Sequence, residues 1–356
     1  MPSAGNIKID TSVYFFGAGL HIKVIIIYNM RVKFDGGDRS MPLYFWITAG
    51  FLAIVVLPFA AMLIYTRKIA EKEYYEKLVR TSPEKWGRQN SCPENEEHSR
   101  MYEEGMAWAK AHAVCMKPES IESCGFRLKG EYYDFGSKNC VIIIPGRAES
   151  LNYSYFFAPP YERAGFNILV IDTRAHGLSE GKFVGMGIGE IPDVTAWARF
   201  LKAEKGMSRI VLHGICIGAS TSVMASVRED CPGLAGIISE GLFKSFYTIF
   251  KQRTKNGGHP AFPFMWHIYR LAKKNAGVDI KRQSPESIMG KMSAPVLFLH
   301  SKKDNAALPK YAQQLFAACS SSKKKLVWFE EGAHSHIRIA DKQKYDDEIC
   351  AFLAEI

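Results

Sequence analysis

The segment Gly214-Ile215-Cys216-Ile217-Gly218 places a thiol two residues from a glycine on either side, between the apolar run "RIVLHG" and the small-residue stretch Ala219-Ser220. A nucleophile held in a tight strand-to-helix turn needs such neighbours, because larger side chains there would strike the strand and the helix. The start of the following helix favours a thiolate at Cys216 and an oxyanion near the Ile217 N–H. A nucleophile also needs a base, and the base needs a group that orients it. Downstream, "APVLFLHSKKDNAALP" is a strand followed by a loop bearing Asp304, and "KLVWFEEGAHSH" is a strand followed by a loop bearing His334. Nucleophile, acid and histidine thus each lie just past the end of a successive strand, where open parallel sheets place their sites. His336, in the same loop, is an alternative base, and Glu240, at the end of "LAGIISEG", is an alternative acid. Read alone, the pentapeptide fits a buried cysteine in a glycine-rich turn equally well; its downstream partners point to chemistry.

The elements that must position these residues are legible as a pattern. Short β-branched runs, "FRLKGEYYDF", "CVIIIPG", "FNILVIDTR", "RIVLHG", "LAGIISEG", "APVLFLHS" and "KLVWFEEG", alternate with amphipathic segments of helical length. Buried strands spaced this way imply βαβ units and a mostly parallel sheet covered by helices on both faces, an α/β fold. The α/β domain is expected over 121–356, with a small helical cap at about 241–293. The cap segment carries "FYTIF" and "HPAFPFMWHIYRLAKK", whose apolar and aromatic residues suit an acyl-chain pocket or plain packing on the sheet.

Ahead of that domain, residues 1–40 resist assignment and residues 67–120 read as a juxtamembrane helical connector. Between them an uncharged run extends from Ser40 to Thr66, longer than the roughly 20 residues a bilayer requires, and sets the anchor at 41–66. Tyr44, Trp46 and Tyr65 sit where interfacial aromatics belong. A single transmembrane anchor is expected. Arg67, Lys68, Lys72, Lys77 and Arg80 outnumber Arg31, Lys33 and Arg39, which places the C-terminal domain on the cytoplasmic side.

Apolar residues make up 47% of the chain and charged ones 23%, a composition that supports a sizeable core and excludes general disorder. The net charge of +10 is dispersed among acidic residues without an aromatic-interleaved basic stripe, so no nucleic-acid partner is expected; anionic lipid suits it better. The eight cysteines form no CxxC pair and no Cys/His cluster at zinc spacing, which favours free thiols in a reducing compartment. No metal or organic cofactor is expected.

Taken together, residues from about 120 to 356 resemble the α/β-hydrolase superfamily, near its serine aminopeptidase-like (S33) and lysophospholipase or monoacylglycerol lipase-like groups. "VIDTRAHGLSEG" resembles the superfamily's Asp-x-Arg-Gly-His-Gly-x-Ser segment, with Ala175 in place of one glycine, and "IIIPGRAES" resembles the segment after its third strand. The resemblance implies an oxyanion hole made by the backbone N–H groups of Arg147 and Ile217, and a triad of Cys216, His334 and Asp304. Asp172, Arg174 and His176 are expected to brace a loop, and His213 to pack within its strand. Two features depart from the pattern: Cys216 stands where serine is usual, as it does in the dienelactone hydrolase group, and the loop after Asp304 is one residue longer. With a thiol nucleophile, esters and thioesters suit the reaction better than peptides, because a tetrahedral adduct with an amide tends to expel the thiolate. The expected activity is hydrolysis of a small or lipid-like acyl substrate. Acyl transfer from the same acyl-Cys216, and a non-catalytic scaffold, are the rival readings.

Overall fold

A computed structural model describes residues 8–16, 23–31, 41–89, 95–232 and 234–356. Residues 1–68 and 69–356 form two compact units. In the first, strands β1 (Lys8–Phe16) and β2 (Lys23–Arg31) pair antiparallel, with Lys8 opposite Arg31, and β3 (Met41–Pro42) adds to β2. Helices α1 (Leu43–Phe51) and α2 (Leu57–Leu78) join through a π-helical turn into one helix, Phe45–Leu78, long and apolar enough to cross a membrane; its most apolar stretch reaches a mean hydropathy of 2.5. From Ile69 onward that helix belongs to the second unit, where Ala70, Tyr74 and Leu78 are buried in the core.

The second unit is built on an eight-stranded sheet. Its strands are β4 (Met116–Ser123), β5 (Phe126–Tyr133), β6 (Asn139–Ile144), β7 (Asn167–Ile171), β8 (Arg209–Ile215), β9 (Leu234–Glu240), β10 (Val296–Ser301) and β11 (Lys324–Phe329). Their spatial order is β11-β10-β9-β8-β6-β7-β5-β4. The six strands from β11 to β7 run parallel, whereas β5 pairs antiparallel with both β7 and β4. The mostly parallel sheet expected from the alternation of apolar runs is therefore present.

The continuous apolar runs have a direct physical cause. In β6, Cys140, Ile142 and Ile144 face one cluster and Val141 and Ile143 another, so both faces are dry. In β10 the same alternation sends Val296 and Phe298 to one side and Leu297 and Leu299 to the other. Each of these isoleucine, leucine, valine and phenylalanine side chains contributes roughly 1.5–3 kcal/mol by leaving water. Helices flank both faces: α3 (Glu96–Ala111), α4 (Leu151–Ser154), α5 (Pro159–Arg163), α6 (Ile191–Ala203), α7 (Ile217–Ala225), α8 (Phe246–Asn256), α9 (Ala261–Asn275), α10 (Pro309–Ala318), α11 (Ile337–Ala340) and α12 (Lys342–Glu355). Helices α8 and α9 occupy the segment between β9 and β10 where a cap was expected.

The segment after α2 is built into the second unit. Val79 bridges Phe183, and the Arg80 guanidinium donates to the carbonyls of Gly177 and Pro83 at 2.7 and 2.6 Å. Arg88 donates to Asp172 at 2.8 Å and to Glu131 at 2.6 Å, two acids that folding has withdrawn from water. The seven described cysteines form no disulfide; Cys140 and Cys319 are buried and Cys124 is exposed, while Cys92 lies outside the described residues.

Candidate functional site

Strand β8 runs directly into α7, and Cys216 is the residue between them. Its backbone sits at φ 55°, ψ −109°, a conformation that costs an L-residue on the order of 1–3 kcal/mol and persists only when its surroundings enforce it. The two glycines are what enforce it. A Cβ at Gly214 would lie 2.1 Å from the Gly218 carbonyl oxygen, and one at Gly218 would lie 2.2 Å from the carbonyl oxygen of Ile144, at the end of β6. The Cys216 N–H donates to the Glu240 carbonyl at 3.0 Å, tying the turn to the end of β9. Ile217 opens α7, so its N–H is among the first-turn amides that no intrahelical carbonyl can satisfy.

The loops after β10 and β11 bring the other two residues to this turn. The Oδ1 atom of Asp304 accepts the N–H groups of Ala306 and Ala307 at 2.8 and 2.7 Å, which fixes the carboxylate and leaves Oδ2 for the Nδ1 of His334 at 2.7 Å. The His334 ring and the Cys216 thiol line the same pocket. Ser301 donates to the Gly332 carbonyl at 2.5 Å, linking the acid strand to the histidine loop. Beneath the imidazole lies Gly241, at φ 63°, where a Cβ would approach the His334 ring to 3.0 Å. Sequence reasoning did not single out Gly241; its position directly after a strand ending in "SE" was the available signal.

The electrostatics follow from these contacts. Burial pushes the Cys216 thiol up, but the neighbouring His334 charge outweighs it and holds the thiol below its ordinary range. Burial disfavours charge on His334, yet the facing sulfur and the Asp304 carboxylate raise it well above an ordinary imidazole. Burial likewise opposes ionisation of Asp304, while the hydrogen bond and charge of His334 keep it below the usual carboxylate range. Each of these shifts favours the charged form of its group.

The alternatives stand elsewhere. His336 binds Glu97 through Nδ1 at 3.0 Å and packs on the His98 ring. Glu240 is fully buried, accepts a hydrogen bond from the Tyr345 hydroxyl, and is raised by burial to about 7. The same tyrosine meets His213 Nε2 at 3.1 Å within the sheet core, so His213 is a packed strand residue.

Arg147 lies in the loop after β6, and a built support surrounds that loop. Glu149 accepts the Gly146 N–H at 2.8 Å, and the Ala148 N–H donates to His176 Nε2 at 3.1 Å. Ala148 itself adopts φ 69°. His176 is buried, which pushes its pKa down to about 4, so its neutral ring can accept through Nε2 while Nδ1 donates to the Arg174 carbonyl at 2.9 Å. Trp86 stacks on that ring at 5.0 Å. Asp172 accepts the N–H groups of Leu151 and Leu178 at 2.8 and 2.9 Å, and Arg174 pairs with Asp193. These three residues brace loops. The part of Trp86 was not visible in the sequence, because nothing in "SPEKWGRQ" shows that it folds back on a histidine ninety residues later.

Cys216, His334, Arg147 and Ile217 border one pocket, whose apolar wall comes from Leu78, Phe243, Phe246, Ile249 and Phe250. Phe246, Ile249 and Phe250 project from α8, so the segment over the sheet does supply an apolar lining. Among the described residues, no group of three histidine, cysteine or acidic side chains is arranged to hold a metal ion.

No family model matches the chain. It is 25% identical to the protein YqkD of Bacillus subtilis over 257 residues, 68% of this chain and 83% of that one. Over 196 residues it is 26% identical to protein bem46 of Schizosaccharomyces pombe, 55% of this chain and 60% of the relative. Among solved structures, the Pyrococcus furiosus esterase Pf2001 superposes with a TM-score of 0.57 at 18% identity, covering 69% of this chain and 93% of the esterase. An α/β hydrolase from Vibrio vulnificus gives 0.53 at 17% identity, covering 76% and 91%. The strand order, the turn between β8 and α7, and these superpositions identify the architecture: this chain has the α/β-hydrolase fold.

Proposed function

We propose that the protein is a hydrolase of carboxylic esters or thioesters that works through an acyl-Cys216 intermediate. One observation carries the reading: a half-buried thiol in a strained turn shares a pocket with a histidine whose Nδ1 is held by a buried aspartate at 2.7 Å. In the first half-reaction the Cys216 sulfur attacks the acyl carbon, and the carbonyl oxygen takes up negative charge facing the N–H groups of Ile217 and Arg147. Collapse of the adduct breaks the bond to the leaving alkoxide or thiolate, which receives its proton from His334. Water then gives a proton to His334 and attacks the acyl-sulfur carbon; expulsion of the Cys216 thiolate releases the acid. Asp304 keeps the imidazole in the tautomer that presents Nε2 to the sulfur. The apolar wall of Phe243, Phe246, Ile249 and Phe250 favours lipid-like acyl chains.

Within the superfamily, the Pro-Gly-Arg-x-Glu segment and the acid strand support a place near the S33 and lysophospholipase-like groups. The helix Phe45–Leu78 would anchor the enzyme in a membrane, with the excess of lysine and arginine after Thr66 directing residues 69–356 to the cytoplasmic side.

The test is turnover of aryl esters and thioesters by the wild type, Cys216→Ala and Cys216→Ser, with thiol-directed labelling alongside. The wild type is expected to be active and Cys216→Ala to lose activity by about three orders of magnitude or more, as for loss of other nucleophiles. Equal turnover by wild type and Cys216→Ala would remove the thiol from the mechanism.

A further inference from the structure

Over the whole chain the basic residues are dispersed among acidic ones, but in the segment between β9 and β10 they are not. Residues 241–278 hold seven lysines and arginines and no aspartate or glutamate. Helix α9 divides its part of that segment into two faces. Phe264, Met265, Ile268 and Ala272 are buried. The Phe264 ring stacks on Phe250 of α8 with centroids 6.3 Å apart, and the Thr254 hydroxyl of α8 meets the Met265 sulfur at 3.7 Å. The other face carries Trp266, Arg270, Lys273 and Lys274, at the i, i+4, i+7 and i+8 spacing that lines up side chains along one stripe. All four are exposed, and Phe262, at the start of the helix, is 61% exposed. The Arg270 guanidinium lies over the Trp266 ring at 4.8 Å, so aromatic ring and charge share one surface. Among the described residues, Arg270, Lys273 and Lys274 make no ion pair.

We propose that the outer face of α9, with Phe262 at its start, docks on an anionic lipid surface. A helix with a buried apolar face and an outer face of cations around large aromatic side chains matches a membrane interface. There the rings enter the headgroup layer and the lysines and arginines meet lipid phosphates. Charge complementarity selects the occupant, because no acidic side chain in the segment opposes a negative surface and two exposed aromatics give that surface hydrocarbon to cover. The inference rests on the membrane-anchor reading for bringing a bilayer within reach, and the cytoplasmic side proposed for residues 69–356 is the side on which anionic lipid is exposed. Docking seats on the bilayer a cap whose other helix, α8, lines the pocket beside Cys216 through Phe246, Ile249 and Phe250.

The experiment transfers the full chain from neutral detergent to vesicles of phosphatidylcholine alone or with about one-third phosphatidylglycerol, neither of which carries a primary amine. Lysines are acetylated with a membrane-permeant N-hydroxysuccinimide ester and read by mass spectrometry. Lys273 and Lys274 are expected to lose reactivity by about threefold or more on the anionic vesicles relative to the neutral ones, while the exposed Lys117 and Lys138 stay unchanged. Trp266→Ser and Arg270→Glu, both at exposed positions, are each expected to abolish that protection, with constant labelling of Lys117 and Lys138 as the check that the fold is intact. Equal reactivity of Lys273 and Lys274 on the two vesicles, or protection that survives both substitutions, would overturn the proposal. So would equal protection by a single-stranded oligonucleotide without lipid, which would assign the face to nucleic acid. Retention on the vesicles after an alkaline carbonate wash reads the anchor separately. A chain that washes off yet shows the anionic-lipid footprint refutes the anchor reading alone.

Discussion

Gly218 offers a quantitative test of how the fold builds the site. Substitution by alanine puts a Cβ 2.2 Å from the Ile144 carbonyl oxygen and 2.9 Å from the Pro145 carbonyl oxygen. Both neighbours are backbone, so no side chain can swing away. Reaching ordinary van der Waals distance requires the end of β6 and the first turn of α7 to separate by about 1 Å, an overpacking that costs roughly 1–3 kcal/mol. For a unit of this size that corresponds to a fall in Tm of roughly 2–12 °C. The displaced strand end leads straight into Gly146 and Arg147, while the Ile217 N–H belongs to the displaced helix turn. The two proposed oxyanion donors are driven apart, and a misplacement of about 1 Å is worth on the order of a hundredfold in rate. Alkylation of Cys216 uses the His334 contact and no oxyanion donor, so it should change by less than about threefold. The assay is therefore a pair: ester or thioester turnover, and Cys216 alkylation, on the same folded preparation. Turnover by Gly218→Ala within a few-fold of wild type would refute the reasoning. So would parallel loss of both readouts in a protein that remains folded, because it would place the damage at the thiol rather than at the oxyanion donors.

Because His334 depresses the Cys216 pKa, the thiolate persists below the ordinary thiol range and is lost as pH falls through the depressed value. The pH midpoint of Cys216 alkylation should rise in His334→Gln, and an unmoved midpoint would deny the pair. Asp304→Asn should lower kcat by on the order of 10³–10⁴ with the thiol still present, as when the base loses its tautomeric partner; steady-state kinetics measure it. Glu240, buried and raised to about 7, favours the folded state at low pH and penalises it as pH rises from the unfolded carboxyl value through the folded one. Relative to Glu240→Gln, wild-type stability should therefore decline by about 3 kcal/mol between pH 4.5 and 7.5, read by denaturant unfolding. Trp86→Ala removes the ring stacked on His176 and loosens the loop that carries Ala148. The expectation is a loss in kcat of about tenfold with KM nearly constant, and an unchanged kcat would show that the loop stands without it.

Period and composition were sufficient for the α/β class, because strands buried on both faces must be apolar throughout and "CVIIIPG" and "APVLFLHS" can satisfy little else. The turn at Cys216 was also legible, since only glycine tolerates carbonyl oxygens 2.1 and 2.2 Å from where a Cβ would stand. The order of Cys216, Asp304 and His334 along the chain nominated three partners, but chain order cannot distinguish His334 from His336 or Asp304 from Glu240. That choice is three-dimensional. It depends on which ring lies beside Cys216 and which carboxylate meets the Nδ1 of that ring, and those depend on Ala306, Ala307 and Gly241. Likewise "TSPEKWGRQ" reads as a polar connector because its neighbours in sequence are polar, whereas its partners Asp172, His176 and Gly177 lie about ninety residues downstream. Local sequence was enough to say which segments must be buried and where a nucleophile fits. Which histidine and which carboxylate meet near Cys216 follows only from the fold, because side-chain encounters between distant segments arise when the sheet brings its strand ends to one edge.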